Sequence, residues 1–61
     1  MDFAAIAQYL VTRADQHADN AADAYQRGDH ATAEKQAAAR QVYDDLAAVA
    51  GIASAVTSTG R

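Results

Sequence analysis

The chain has 61 residues, with five Lys and Arg against eight Asp and Glu, a formal net charge of −3, and no cysteine or proline. A chain of this length forms one small domain, and without cysteine it has no disulfide or thiolate metal site to support a small core. The excess of acid argues against non-specific binding to nucleic acid or to an anionic membrane, because both require an excess of Lys and Arg.

The first predicted element is a long helix over residues 2–27. No glycine occurs before Gly28, and apolar side chains recur at alternating steps of four and three, which is the spacing of one helix face. Ile6, Val11, Ala18 and Tyr25 widen this stripe. The stripe itself consists of Phe3, Ala7, Leu10, Ala14, His17, Ala21 and Ala24.

Gly28 and Asp29 predict a turn at residues 28–29. Glycine readily adopts the left-handed backbone conformation that ends a helix, and an aspartate directly after it can cap the next helix by accepting backbone N–H bonds. A turn this short makes its two helices antiparallel neighbours. The predicted fold is therefore all-α, an antiparallel two-helix hairpin over residues 1–58.

The second predicted helix covers residues 30–50. It extends to residue 58 if tertiary contacts hold it past Gly51, because an internal glycine costs about 1 kcal/mol relative to alanine. Residues 59–61 are predicted to be a disordered tail. The apolar stripe of this helix has steps compatible with a coiled-coil seam. It consists of Ala31, Ala38, Val42, Leu46, Val49, Ala53 and Val56, with Ile52 beside it.

The large apolar side chains of both helices are concentrated at the end away from the turn, where we expect them to pack against each other. The turn end is mostly alanine. Two helices of this kind expose much of their surface, so we expect the hairpin to assemble into a helical bundle as a homo-oligomer, with most of the self-association energy at the open end. Two tyrosines join the predicted interface because such rings bury apolar area while keeping a polar tip in water. The predicted interface residues are Phe3, Ile6, Tyr9, Leu10, Val11, Val42, Tyr43, Leu46, Val49, Ile52 and Val56.

No combination of side chains predicts a catalytic, cofactor or metal site. Asp15, His17 and Asp19 are close in sequence, but His17 lies about 200° around the helix from Asp15 at about 100° per residue, so the three side chains diverge. His17 lies on the apolar stripe, where a packed or hydrogen-bonded histidine is the usual finding. No Ser, Cys or Glu stands at a spacing that would make a nucleophile–base pair with it. We therefore expect a protein without enzymatic activity, cofactor or metal.

Asp15, Asp19 and Asp23 form an acidic ridge at i, i+4 spacing on the first helix. The ridge is either a solvated face or a docking strip for a basic partner, such as a Lys or Arg of a neighbouring helix. A nucleic-acid-binding strip would need aligned cations. The sequence argues against nucleic-acid binding, because its cations are dispersed among acidic residues; they include Arg13, Arg27, Lys35 and Arg40.

The segment Gly28-Asp29-His30-Ala31-Thr32-Ala33 resembles the turn of a tetratricopeptide repeat, in which Gly-Asp-aromatic-x-x-Ala joins two antiparallel helices. The resemblance covers the turn, and it implies a helical hairpin that binds other proteins. In size and outline the chain also resembles plasmid copy-number regulators, which form a four-helix bundle from two hairpins and bind RNA.

These features predict a non-enzymatic protein–protein interaction module, a self-associating hairpin that docks on another protein. A structural or decoration component of a larger assembly, such as a phage particle, and a nucleic-acid-associated regulator are the open alternatives. No segment approaches the roughly twenty apolar residues of a membrane span, and the first cation is Arg13, so we expect a cytoplasmic protein. Abundant alanine, aspartate and arginine with a single lysine are typical of a high-GC bacterial or phage genome.

Overall fold

The computed structural model describes residues 2–59, and within that range the chain is entirely helical apart from the turn. The two helices are α1 (Phe3–Gln26) and α2 (His30–Thr59), and the described residues form no strand. The predicted all-helical class is confirmed. α2 continues through Gly51 and includes Thr59, the first residue of the predicted disordered tail. Residue 1 and residues 60–61 of that tail lie outside the described residues.

α1 begins at a side-chain cap. The Oδ1 atom of Asp2 accepts a hydrogen bond from the backbone N–H of Ala5 at 3.0 Å, and the backbone carbonyl of Asp2 accepts from the N–H of Ile6 at 3.1 Å. The first N–H groups of a helix have no carbonyl one turn earlier, so a cap of this kind supplies the missing acceptor. The start of α1 is therefore fixed by local chemistry at Asp2.

α1 ends in a Schellman motif at Gly28. The N–H of Gly28 donates to the carbonyl of Tyr25 at 3.0 Å, and the N–H of Asp29 donates to the carbonyl of Ala24 at 2.9 Å. Gly28 has a φ of +78°, a conformation that L side chains rarely adopt. A Cβ at this position would meet no atom within 4 Å. Backbone conformation, and not lack of space, is the reason for glycine here.

α2 begins at a second cap, which Asp29 provides. Its Oδ1 atom accepts a hydrogen bond from the N–H of Thr32 at 3.1 Å, and its backbone carbonyl accepts from the N–H of Ala33 at 3.0 Å. Hydrogen bonds from the side chain and the backbone of Thr32 lower the pKa of the Asp29 carboxyl, because they stabilise its charged form. Coulombic interactions with Arg27 and His30 also lower the pKa of the Asp29 carboxyl.

We predict that Asp29→Ala lowers the melting temperature at pH 7, and that Asp29→Asn, which keeps an acceptor oxygen, lowers it less. The pKa of Asp29 is lower in the folded chain than in the unfolded chain. Its charge therefore stabilises the fold above the unfolded pKa, and this contribution is lost as the pH falls through the folded pKa. The difference in melting temperature between wild type and Asp29→Asn should shrink towards pH ~2, as measured by circular dichroism at fixed concentration. An equal difference at both pH values would contradict the prediction.

The helices pack along each other through small side chains. No described residue larger than alanine is buried. Alanine lets two helix axes approach closely but contributes little apolar burial per residue, so this contact gives a small hydrophobic gain. We call the buried set the alanine seam, and its members are Ala14, Ala24, Ala33, Ala47 and Ala50.

Contacts between α1 and α2 extend along the whole length of the pair. The rings of His17 and Tyr43 stack with centroids 5.2 Å apart in the middle, and Phe3 and Ser54 line a common groove at the far end. The Cα atoms extend over 51 × 13 × 12 Å. The helix pair is thus an elongated rod with two nearly equal short dimensions.

The predicted face of α1 is correct, and the predicted face of α2 is wrong. In the α1 stripe, Ala14 and Ala24 are buried and the other five positions are half-buried. In the α2 stripe only Ala53 is half-buried, and the other six positions, like Ile52 beside them, are exposed. Four residues of α2 that face α1 each come one position after a member of the predicted stripe. A shift of one residue rotates the face by about 100°. Those inward residues are Tyr43, Ala47, Ala50 and Ser54.

The expected packing of large apolar side chains at the open end is also wrong. Val49, Ile52 and Val56 are each more than 60% exposed, and Leu46 is 48% exposed. The alanines of α1 complement alanines on α2, and a row of larger side chains in the seam would hold the two helices apart. The bulky side chains of α2 therefore lie outside the contact that holds the pair together.

Candidate interaction surface

α2 carries an exposed apolar strip on one flank of the alanine seam. Three of its members are valines spaced by seven residues, which returns them to the same side of the helix every two turns. All five members are between 48% and 64% exposed. We call this set the α2 strip, and it consists of Val42, Leu46, Val49, Ile52 and Val56.

α1 exposes large apolar side chains on both of its flanks. At about 100° per residue, Ile6 lies about 80° and Tyr9 about 140° to one side of Ala14, whereas Val11 lies about 60° to the other side. Ile6, Tyr9 and Val11 are all exposed. The predicted interface residue Leu10 is half-buried close to the seam. Ile6 and Tyr9 therefore form one flank, and Val11 belongs to the other.

The exposed area of the chain is large for its mass. The accessible surface is 4423 Å², whereas a compact monomer of 6.4 kDa exposes about 3,800 Å² by the usual scaling of surface with mass. The excess is about 600 Å², which approaches the roughly 800 Å² that each partner contributes to a standard protein–protein interface. The helix pair thus has surface available for a partner, and much of its apolar part lies on the α2 strip.

A polar and aromatic cluster interrupts the alanine seam. The Nδ1–H of His17 donates to Oε1 of Gln36 across the seam at 2.6 Å, and the His17 ring stacks on Tyr43. The Arg13 guanidinium lies 5.9 Å from the centroid of the Tyr43 ring on the same cluster. Its Nε atom is buried with no hydrogen-bond partner among the described residues. Tyr43, one of the predicted interface residues, thus makes its ring contacts within the chain.

This cluster gives the seam a defined alignment. A row of alanines has little shape to stop one helix sliding along the other, whereas the bond from His17 to Gln36 is satisfied at one alignment only. Polar groups within an apolar contact can set register in this way. Gln36 was not singled out from the sequence, although it lies seven residues before Tyr43 and therefore on the same side of α2.

We predict that His17→Ala and Gln36→Ala each destabilise the helix pair, with a coupling free energy of about 1 kcal/mol between them. The coupling arises because either change alone leaves a half-buried polar group without its partner. Chemical denaturation of wild type, both single variants and the double variant measures it. Asn20→Ala on the exposed side of α1 serves as a control and should stay within about 0.5 kcal/mol of wild type. Additive effects of the two changes would show that the bond has no such role.

The acidic ridge lies on the side of α1 away from Ile6 and Tyr9. Asp15 lies about 100° and Asp19 about 140° to the other side of Ala14. Asp23 is paired with Arg27 one turn later, and both side chains are largely exposed. Asp15 and Asp19 have no ion pair within residues 2–59. The ridge therefore keeps two carboxylates whose charge no described cation offsets.

No established protein family, curated protein sequence or solved structure matches this chain. Neither α1 nor α2 is long and apolar enough to cross a lipid bilayer. Within the described range, no group of three His, Asp or Glu side chains is placed to hold a metal ion.

Proposed function

We propose that this chain is a non-enzymatic interaction protein, an antiparallel helical hairpin that self-associates into a helical bundle and docks on another protein. One observation supports this proposal above the others. Among residues 2–58 the chain buries nothing larger than alanine, while nine large apolar side chains are exposed. A monomer built on five alanines gains little from apolar burial, and covering the exposed side chains would supply what is missing.

In an antiparallel hairpin the two exposed apolar flanks lie on the same side. Val42 lies about 100° before Tyr43 around α2, and Ile6 lies about 80° before Ala14 around α1. Each of these two residues is reached by rotating backwards, against the N-to-C direction, from the residue that faces the other helix. When two antiparallel helices face each other, this backward rotation leads to the same side of the pair on both helices. Because Phe3 and Ser54 line one groove, Ile6 would be near the level of Gly51, between Val49 and Ile52 along α2. We call this combined surface the apolar face, and it consists of Ile6, Tyr9 and the α2 strip.

A second copy of the chain is the occupant that fits the apolar face best. Two identical faces related by a twofold axis form an isologous contact, in which each copy covers the large side chains of the other. Two hairpins joined in this way make a four-helix bundle. Valines spaced by seven residues suit such a contact, because β-branched side chains pack well in coiled-coil seams. The unpaired Asp15 and Asp19 lie on the opposite side, so the two copies would not bring these charges together.

The second candidate function is a structural or decoration component of a larger assembly. The same observation supports it, because a hairpin with an alanine core could also complete its fold on a different protein. The two functions differ in the occupant of the apolar face, which is a second copy in one and the assembly in the other.

We predict that Val49→Lys weakens self-association at least tenfold, because a buried valine contributes about 1.5–3 kcal/mol and a charge in its place would be desolvated. Val49 is 63% exposed in the single chain, so the change should cost the isolated hairpin little. Ala48→Lys is the matched control, since it adds the same charge one residue away on the opposite flank. Sedimentation equilibrium with far-UV circular dichroism across a concentration series measures both variants.

Three outcomes of that series decide between the candidates. A wild-type oligomer that loses helicity on dilution, with Val49→Lys dissociating and Ala48→Lys intact, supports the bundle. A well-folded wild-type monomer at high micromolar concentration would refute self-association. A chain that is unfolded alone but becomes helical with its assembly would favour the decoration role.

A further inference from the structure

A second concave surface lies near the turn. A groove of about 400 Å³ opens between α1 and α2, and the residues that line it are mostly alanines, including Ala22 and Ala37. Tyr25 and His30 also line it, and their rings meet edge-on with centroids 5.1 Å apart. Tyr25 is 66% exposed, so a large aromatic surface borders the groove without being covered.

The groove and the apolar face lie on opposite sides of the pair. Ala22 lies about 80° to one side of Ala14 around α1, and Ile6 lies about 80° to the other, so the two are about 160° apart. The same holds on α2, where Ala37 and Val42 are separated by about 140° at about 100° per residue. Occupation of the apolar face by a second copy would therefore leave the groove open to another molecule.

Charge defines what this groove can accept. Glu34 lines it directly, and Asp19 is one turn before Ala22 on the same side of α1. Neither carboxylate has an ion pair within residues 2–59, whereas Arg27, near the end of α1, is already paired with Asp23. An apolar slot bordered by unpaired carboxylates favours an apolar side chain that has cations on either side of it.

We propose that this groove binds a basic amphipathic helix of another protein. An apolar residue of that helix would insert beside Tyr25 and Ala37, and Lys or Arg residues one turn before and after it would reach Asp19 and Glu34. A third helix lying along two others is a common recognition mode, in which residues at i, i+3, i+4 and i+7 provide the contacts. The inference rests on the proposed docking function and assigns the partner's chemistry, but it does not depend on self-association.

The test uses a fluorescein-labelled model helix of about 18 residues, with leucines on one face and lysines on the other. The full chain is titrated into this peptide at low salt, and binding is measured as the rise in the fluorescence anisotropy of the peptide. Ala37→Leu fills the groove and should weaken binding at least tenfold. Ala48→Leu makes the same change on the same flank three turns away, outside the groove, and should leave binding unchanged. Asp19→Asn combined with Glu34→Gln should weaken binding about fivefold and reduce its salt dependence.

The remaining arms separate this inference from the proposed self-association. A peptide with glutamates in place of the lysines should not bind, and equal binding of both peptides would overturn the proposal. Binding that is insensitive to Ala37→Leu but lost in Val49→Lys would also overturn it, because the peptide would then occupy the apolar face. Sedimentation of Ala37→Leu should match wild type. A change in its oligomeric state would assign the groove to a second copy and reject the basic helix.

Discussion

The close fit of alanine against alanine governs the rest of this structure. Ala14 and Ala24 on α1 are buried, as are Ala33, Ala47 and Ala50 on α2, and small side chains allow two helix axes to approach closely. This fit determines which side of α2 turns inward. The larger apolar residues of α2 are left outside as a consequence, so the surface proposed for self-association follows directly from how the pair is held together.

α2 therefore presents two different sets of side chains, one to α1 and one to the outside of the pair. Its alanines face α1, where shape matters more than buried area, and its valines face outward, where each side chain has more area to bury. The His17–Gln36 bond adds to the inner contact what alanine lacks, a preference for one alignment. The α2 strip needs no comparable polar bond within the chain, because its alignment would be set by whatever molecule covers it.

Local chemistry made α1 and the turn predictable. Gly28, Asp29 and the periodicity from Phe3 to Ala24 act within a few residues, so the sequence contains what is needed to infer a helix end, a cap and an inward face. The inward face of α2 depends on the surface of α1, which is information far away in the sequence. The valines dominated the apolar periodicity of α2 and so indicated the wrong inward face. The spacing of the alanines beside them gave no comparably strong indication of the correct face. The groove at Tyr25 and His30 escaped prediction for the same reason, since it exists only between two packed helices.

The alanine seam also limits how this protein can change over evolutionary time. Glycine is the only amino acid smaller than alanine and it weakens a helix, and nearly every other replacement adds volume to a contact that has none to spare. Substitutions at Ala14 or Ala47 should therefore be purged quickly, whereas valine, isoleucine and leucine can replace one another along the α2 strip. Related chains would then share a nearly invariant row of alanines while their outer surfaces diverge, and divergence of the outer surface is the route by which such a helix pair could acquire different partners.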